Sequence, residues 1–326
     1  MTTTQLDAGS VGLSVLLGDD EETFGRAVDG PTTGPLAVIG SPFGGRETVL
    51  ARAADRLDAR HVRFDADTNA DDAVDALAGG PVVVEGCHHL FTRTVGGFRP
   101  LSRFLDALAE TETTAVTGWN RFAWSYLDAV RGIETVFPTH IEVGTLSGED
   151  ITEVVEANTT ERTTFLRDET DESPLTVRRR EVTVANRTVS VPVPALDRKA
   201  IVARRTEDLD PKTATFERLA AVSDGNPGAA LAIWERCVDD EVRPTGIEAP
   251  DLDADLDREA AFCLRIVLST ERVDRGTLTD RIGPRTPRLL GQFARAGIVT
   301  SEDGTVRLQP AGVPSAVAMT ERRGVL

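Results

Sequence analysis

The chain is 326 residues long, 40 % hydrophobic and 27 % charged, with a formal net charge of −17. That apolar content can build packed cores and excludes wholesale disorder, and the length corresponds to about two or three structural units. The longest apolar runs, such as Leu36–Ile39 and Pro81–Val84, fall far short of the roughly 20 residues that span a bilayer. Three widely spaced cysteines, Cys87, Cys237 and Cys263, argue against a disulfide framework and against paired-cysteine zinc sites. Met1–Gln5 opens no basic and apolar leader, so the expectation is a cytoplasmic protein without membrane insertion.

Residues 1–35 form a lead-in that ends in a turn-rich stretch, Asp29-Gly-Pro-Thr-Thr-Gly-Pro35. Strand and helix signals then alternate. Leu36–Ile39 reads as a strand and is followed by a glycine loop. Val49, Leu50, Ala53 and Leu57 come next at helical spacing. His61–Asp67 reads as a strand, Asp71–Leu77 as a helix, and Pro81–Glu85 as a strand buried on both faces. Leu101–Ala109 is an amphipathic helix, Thr113–Thr117 a strand, Phe122–Val130 a helix and His140–Val143 a strand. The alternation predicts an α/β fold over residues 1–146, a parallel sheet flanked by helices.

The pattern changes at Ser147, which reads as a helix N-cap with Asp150 in the first turn. Residues 147–240 then read as a helical lid interrupted by an insertion at about 159–211. Within that insertion Val182-Thr-Val184 and Val189-Ser-Val191 alternate around Asn186, a hairpin signal, and Pro192 and Pro194 place the second strand at an edge. Helical pattern returns at Thr213–Val222 and Pro227–Cys237. Residues 241–257, acidic and containing Pro244 and Pro250, read as a linker. The last segment, 258–326, shows helices at Glu259–Leu268, Gly276–Ile282 and Pro287–Ala296. A hairpin over Ile298–Leu308 turns at Glu302-Asp-Gly304, and a helix covers Pro314–Arg323. Three helices and a β-wing describe a winged helix.

Two motifs carry chemistry. Gly40-Ser-Pro-Phe-Gly44-Gly45-Arg46-Glu47 lies between a strand and a helix with the glycine spacing of a Walker A loop. In such a loop, backbone N–H groups and a helix N-terminus cradle phosphate. Arg46 stands at the lysine position and can grip phosphate oxygens in a bidentate way. Glu47 stands at the magnesium-binding Ser/Thr position, where a carboxylate can ligate Mg²⁺ or repel phosphate, and Thr48 falls one position late. The second motif is Val82-Val-Val-Glu85-Gly86, an apolar strand ending in an acid, as at a Walker B metal site. Glu85 replaces the usual aspartate. Gly86 replaces a water-activating glutamate, so His88 or His89 would have to substitute. The candidate nucleotide ligands are therefore Gly40, Gly44, Gly45, Arg46, Glu47 and Thr48, with Glu85 and Glu47 as candidate Mg²⁺ ligands.

The order of these parts resembles AAA+ and STAND-type P-loop ATPases over most of the chain, in particular archaeal ATPases related to origin-recognition proteins. The resemblance implies ATP or ADP with Mg²⁺ as cofactors. It makes Asn120, in Thr114-Ala-Val-Thr-Gly-Trp-Asn120, a polar sensor beside Glu85, and Arg131 an arginine finger, with Arg121 its rival. Asp224-Gly-Asn-Pro-Gly-Ala-Ala230 is similar to the GNP-type lid motif of the group, but Gly228 occupies the place of the sensor arginine. These departures imply weak or absent hydrolysis. Trp119, Phe122, Trp124 and Tyr126 form an aromatic cluster, read as packing beneath the sheet.

Only Lys199 and Lys212 are lysines among the 36 basic residues, and the acid-rich composition resembles that of haloarchaeal proteins. Against that background, residues 258–326 carry eleven arginines and seven acids. A basic module on an acidic chain fits a nucleic-acid surface, with Arg285, Arg288, Gln292 and Arg295 on the third helix and Arg307 on the wing as candidate DNA contacts. A winged helix serving protein docking, autoinhibition or self-assembly is the competing reading. The resulting expectation is a nucleotide-binding regulatory protein that couples nucleotide state to DNA or protein contact. The alternatives are a scaffold that has lost its nucleotide and a plain winged-helix DNA-binding regulator.

Overall fold

The structure is a computed structural model that describes residues 12–30, 34–159, 163–168, 175–184, 187–196, 209–252 and 256–325. Its central strand is β1 (Leu36–Gly40), buried along its whole length. Parallel ladders join β1 to β4 (Ala115–Asn120) on one side and β5 (Thr139–Glu142) on the other. Beyond β4 lie β3 (Val82–Glu85) and the edge strand β2 (Arg60–Arg63), so the order is β2-β3-β4-β1-β5. β2 is shorter than the expected His61–Asp67, because as an edge strand its pairing ends opposite Glu85. β4 runs past Thr117, because β1 pairs with it through Asn120 and it stays buried along its whole length.

Strand side chains alternate between two cores. Leu36 and Val38 pack with Val49, Leu50 and Ala53 of α3 (Arg46–Leu57). The same core takes in Leu16 of α1 (Leu13–Leu17) and Phe24 of α2 (Glu21–Asp29). Ala37 and Ile39 face the opposite way. They meet Ala73 of α4 (Ala70–Asp75), Leu101, Phe104 and Leu108 of α5 (Arg99–Glu110), and α6 (Arg121–Arg131). Trp119 lies beneath the sheet, edge-on to Trp124 at 5.5 Å and to Phe137 at 5.8 Å. Its indole N–H donates to Thr117, whose hydroxyl donates to the Leu36 carbonyl.

The lid begins at α7 (Gly148–Asn158), where Ser147 and Asp150 form a reciprocal capping box. α8 (Pro211–Ser223) and α9 (Pro227–Cys237) follow, each with an Asp or Asn N-cap before a first-turn proline. Phe216 stacks on Trp234 at 5.1 Å. Within the insertion, β6 (Thr164–Phe165) brings Phe165 against both rings. β7 (Leu175–Val184) and β8 (Arg187–Leu196) pair antiparallel, with Pro192 opposite Arg179 and Pro194 opposite Val177. Asn186, at the expected turn, lies outside the described residues, as do Met1–Gln5 and residues 253–255. The described part of the expected linker is packed: β9 (Glu241–Val242) pairs with β6, and Val242 and Ile247 are buried in the lid core.

The C-terminal module comprises α10 (Arg258–Thr270), β10 (Arg272–Asp274), α11 (Arg275–Ile282), α12 (Thr286–Arg295), β11 (Val299–Glu302), β12 (Thr305–Leu308) and α13 (Val313–Arg322). Its antiparallel sheet runs β10-β12-β11. Leu264, Leu268, Leu278, Leu289, Phe293 and Ile298 form its core, which also receives Phe122 from α6 and packs against Phe43 of the glycine loop. The Arg265 guanidinium lies 4.9 Å from the Phe122 ring centroid. Buried Phe→Ala changes typically cost about 3–5 kcal/mol. Phe122→Ala should therefore lower the unfolding temperature of the C-terminal module and separate it from that of the sheet, seen as a second transition in calorimetry.

Candidate functional site

The C-terminal edge of the parallel sheet is where ligands of open α/β folds bind. The ladder sets Gly40 beside Asn120 there. After Gly40 the chain makes a tight turn in which the Gly44 N–H donates to the Ser41 carbonyl at 3.0 Å. Pro42 is second in the turn and Phe43 third, with φ of 59°, a backbone that favours glycine at that place. A side chain at Gly45 would meet Leu16 at 2.6 Å. α3 then starts at Arg46, so its N-terminal dipole end faces this turn.

The start of α9 packs directly on the loop. The Asn226 amide donates to the Pro42 carbonyl at 2.8 Å, and the Gly228 N–H donates to the Phe43 carbonyl at 3.0 Å. A Cβ at Gly228 would lie 2.6 Å from the Phe43 Cβ. Position 228 therefore admits no side chain: the two backbones approach too closely for one.

Arg46 is 2 % exposed. Its Nη1 donates to the Gly40 carbonyl at 3.4 Å. Its Nη2 donates to Glu47 at 3.2 Å and to Glu271, from the C-terminal module, at 3.0 Å. Burial works against the guanidinium charge, but the carboxylates of Glu271 and Glu47 outweigh it, so the Arg46 pKa is raised. Burial pushes the Glu47 carboxyl up despite Arg46 beside it. The Arg46 Nε is buried without a partner. Thr48 is buried within α3, its N–H bonded to the Gly45 carbonyl.

Asn120 is fully buried and works in two directions. Its Oδ1 caps α6, accepting from the Phe122 and Ala123 N–H groups. Its Nδ2 donates to the Leu268 carbonyl at 2.8 Å and to Glu271 at 2.9 Å. Glu271 caps the C-terminus of α10 with φ of 59°, where glycine is the usual residue. Its carbonyl accepts from the Leu308 N–H. Nothing in the sequence around Ser269-Thr270-Glu271 marks this residue, because its role arises from a contact 225 positions away. The one local signal is a helix that ends without a glycine.

Glu85 is 6 % exposed. Arg63, its register partner on β2, donates to both carboxylate oxygens at 2.7–3.1 Å, and the His61 ring lies 3.5 Å away. Burial raises the Glu85 pKa, but hydrogen bonds from His61 and Arg63 and the charges of Arg63 and Arg46 carry it below the ordinary carboxylate value. The expected Mg²⁺ ligands are thus both engaged, Glu85 by Arg63 and Glu47 by Arg46. This arrangement does not fit a bound Mg²⁺. Gly86 has φ of 81°, and a Cβ there would lie 2.4 Å from the Phe64 carbonyl oxygen. His88 is buried with neither ring nitrogen partnered, and burial, His89 and Arg46 together push its pKa well down, which leaves it neutral. Among the described residues, no group of three His, Cys, Asp or Glu side chains could hold a metal ion.

The remaining candidates lie apart from this centre. Arg131 is exposed with its guanidinium 4.7 Å from the Phe98 ring centroid, and Arg121 is exposed at the start of α6. Arg285 is held by Asp257 and Glu259 at 2.7 and 2.6 Å. Arg288 and Arg295 are exposed on α12, Gln292 is half-buried, and Arg307 is exposed on β12 opposite Arg272.

No protein-family model matches the sequence, and no curated protein matches it. Several solved structures are similar in fold. The Holliday junction branch migration motor RuvB of Thermotoga maritima is 12 % identical, with 94 % of this chain and 95 % of that chain covered and a TM-score of 0.42. The ORC2 protein of Aeropyrum pernix is 11 % identical, with 98 % of each chain covered and a TM-score of 0.38. A Walker-type ATPase of Pyrococcus abyssi is 12 % identical, with 92 % and 95 % covered and a TM-score of 0.40. The five-stranded parallel sheet of this chain has the order β2-β3-β4-β1-β5, with a glycine loop between β1 and α3. No helix among the described residues is long and apolar enough to cross a membrane.

The Glu85 geometry sets a pH dependence. A carboxyl whose folded pKa lies below its unfolded value of about 4.3 contributes its full stabilisation above that unfolded value. The contribution is lost as pH falls through the lower folded value. Acidification from about pH 6 to about pH 3 should therefore lower the urea midpoint more in the wild type than in Arg63→Ala, at matched salt.

Proposed function

We propose that the chain is a nucleotide-binding regulatory protein of the AAA+ or STAND-like type with weak or absent hydrolysis, whose C-terminal winged helix reports nucleotide state to DNA. One observation carries the reading. A buried guanidinium stands at the first turn of α3, behind a glycine loop, next to Asn120 at the C-terminal edge of the sheet, and its Nε has no partner. That is the chemistry of an oxyanion site. Weak turnover follows from the same region. The Gly86 position has no room for a water-activating side chain, Glu85 is committed to Arg63, and Gly228 supplies no cation.

The test is calorimetry with ATP, ADP and GTP in molar KCl. Wild-type protein should bind at least one of them, and Arg46→Ala should weaken that binding at least tenfold, since a charge-assisted hydrogen bond is worth about 1.5–3 kcal/mol. A wild type that binds none of the three refutes the reading and leaves a scaffold without a nucleotide ligand.

DNA is favoured over protein as the winged-helix partner by the outer face of α12. Arg288 and Arg295 sit there one heptad apart, with Gly291 between them and no atom within 4 Å of its Cβ direction. A mid-helix glycine costs up to about 1 kcal/mol relative to alanine, and here it admits the close approach of a phosphate backbone. Arg272 and Arg307 add two exposed charges on adjacent strands of the wing. Arg285 serves the fold, through Asp257 and Glu259. In fluorescence anisotropy with a random duplex, Arg288→Ala with Arg295→Ala should weaken binding by full-length protein. The salt dependence should flatten by about one unit for each phosphate that is no longer neutralised. Arg285→Ala should leave the salt dependence unchanged. Absence of binding by wild type at low salt would favour a protein partner.

A further inference from the structure

The groups that would hold a phosphate already hold an anion of the protein's own. The Glu271 carboxylate accepts from Arg46 at 3.0 Å and from Asn120 at 2.9 Å. It arrives from the C-terminal module, 225 residues along the chain from Arg46. Carboxylate and phosphate are alike in what they ask of a guanidinium and an amide: paired oxygens that accept charge-assisted hydrogen bonds.

The backbone is bent to deliver this contact. Glu271 and Phe43 are both non-glycine residues at φ of 59°, and they lie on the two sides of one junction. Glu271 ends α10 and reaches Arg46 behind the loop, while Phe43 leaves the loop and packs on the core of the module. Glycine would relieve either position, but it would remove the carboxylate from one and the ring from the other. Strain of this kind is kept where a contact requires it. The seat is also not fully used by a carboxylate. The Arg46 Nε is buried and unpartnered. An anion with more oxygens than a carboxylate has a donor waiting for it.

Resting on the nucleotide reading above, we infer that Glu271 is the resident anion of the phosphate seat and that the terminal phosphate of a nucleoside triphosphate displaces it. Triphosphate binding and docking of residues 258–325 therefore exclude one another. The displacement is an exchange of anions on Arg46 and Asn120 and involves no covalent step. A diphosphate, which lacks the terminal group, leaves Glu271 in place.

The experiment uses the full chain as wild type, Glu271→Ala and the near-isosteric Glu271→Gln. Titration calorimetry in molar KCl gives the affinity for ATP, ADP and tripolyphosphate. Amide hydrogen exchange at Phe122 and Ala123 reports docking, because Asn120 holds both N–H groups and the Phe122 ring sits in the core of the module. Both variants should bind ATP and tripolyphosphate at least tenfold more tightly than wild type, with ADP affinity changed less than threefold. Saturating ATP should speed exchange at those amides in wild type, and ADP should not. Equal ATP affinity in wild type and both variants, with binding intact, overturns the displacement and leaves the nucleotide reading standing. So does ATP binding that leaves the amides as protected as before. Failure of all three proteins to bind any of the ligands overturns the nucleotide reading and this inference with it.

Discussion

A full positive charge buried at the Arg46 guanidinium is the constraint around which the rest of the molecule is arranged. Such a group is tolerated only when opposite charge and hydrogen-bond acceptors surround it. The Gly40 carbonyl, Glu47 and Glu271 provide them, and they come from β1, α3 and the C-terminal module. Removing one partner from a buried pair commonly costs about 3–5 kcal/mol. The position of the C-terminal module is thereby linked to the electrostatics of a loop at the sheet edge. Asn120 strengthens the link, since one side chain caps α6 and also holds both Glu271 and the Leu268 carbonyl.

The departures of this chain from a conventional phosphate loop form a consistent set once that charge is in place. Arginine is longer than lysine and carries more donors, and the neighbouring glutamate takes one of them. Gly86 lies in the left-handed region against the Phe64 carbonyl. Gly228 allows lid and loop to join by a backbone hydrogen bond, which an arginine at that position would obstruct. Arg63 closes over Glu85 from the edge strand. Arg46 and Gly228 make the contacts that join the core to the module and to the lid helices, and Arg63 holds Glu85 within the core.

Much of the architecture is local in origin and was legible for that reason. The continuous apolar runs at 36–39 and 81–84 mark buried strands. The Ser147 and Asp150 pair marks a capping box, and the apolar spacing of 101, 104 and 108 marks the buried face of α5. All three rest on signals within about two turns or one strand. Other features escaped because their cause is remote. Residues 241–252, acidic and proline-bearing, resemble a linker, yet Val242 and Ile247 are drawn into the lid core by pairing with β6, far earlier in the chain. The aromatic cluster reads as a single unit, but the fold divides it. Trp119 and Trp124 lie beneath the sheet, Tyr126 lies against Phe91 and Phe98, and Phe122 belongs to the module.

By itself the sequence determined the alternation of strands and helices, the glycine loop with Arg46 after it, the acid at the end of β3, the capped lid helices and the basic excess of the last segment. These are short-range properties, set by residue spacing and composition. The tertiary structure alone decided the partner of each charge. Glu85 faces Arg63 because two parallel strands meet in one register, Arg285 is claimed by Asp257 and Glu259, and Glu271 reaches Arg46 and Asn120 because the C-terminal module docks on the loop. Side-chain charge is written along the chain, but the field at a buried site is a sum over groups that only folding brings within a few ångströms of one another.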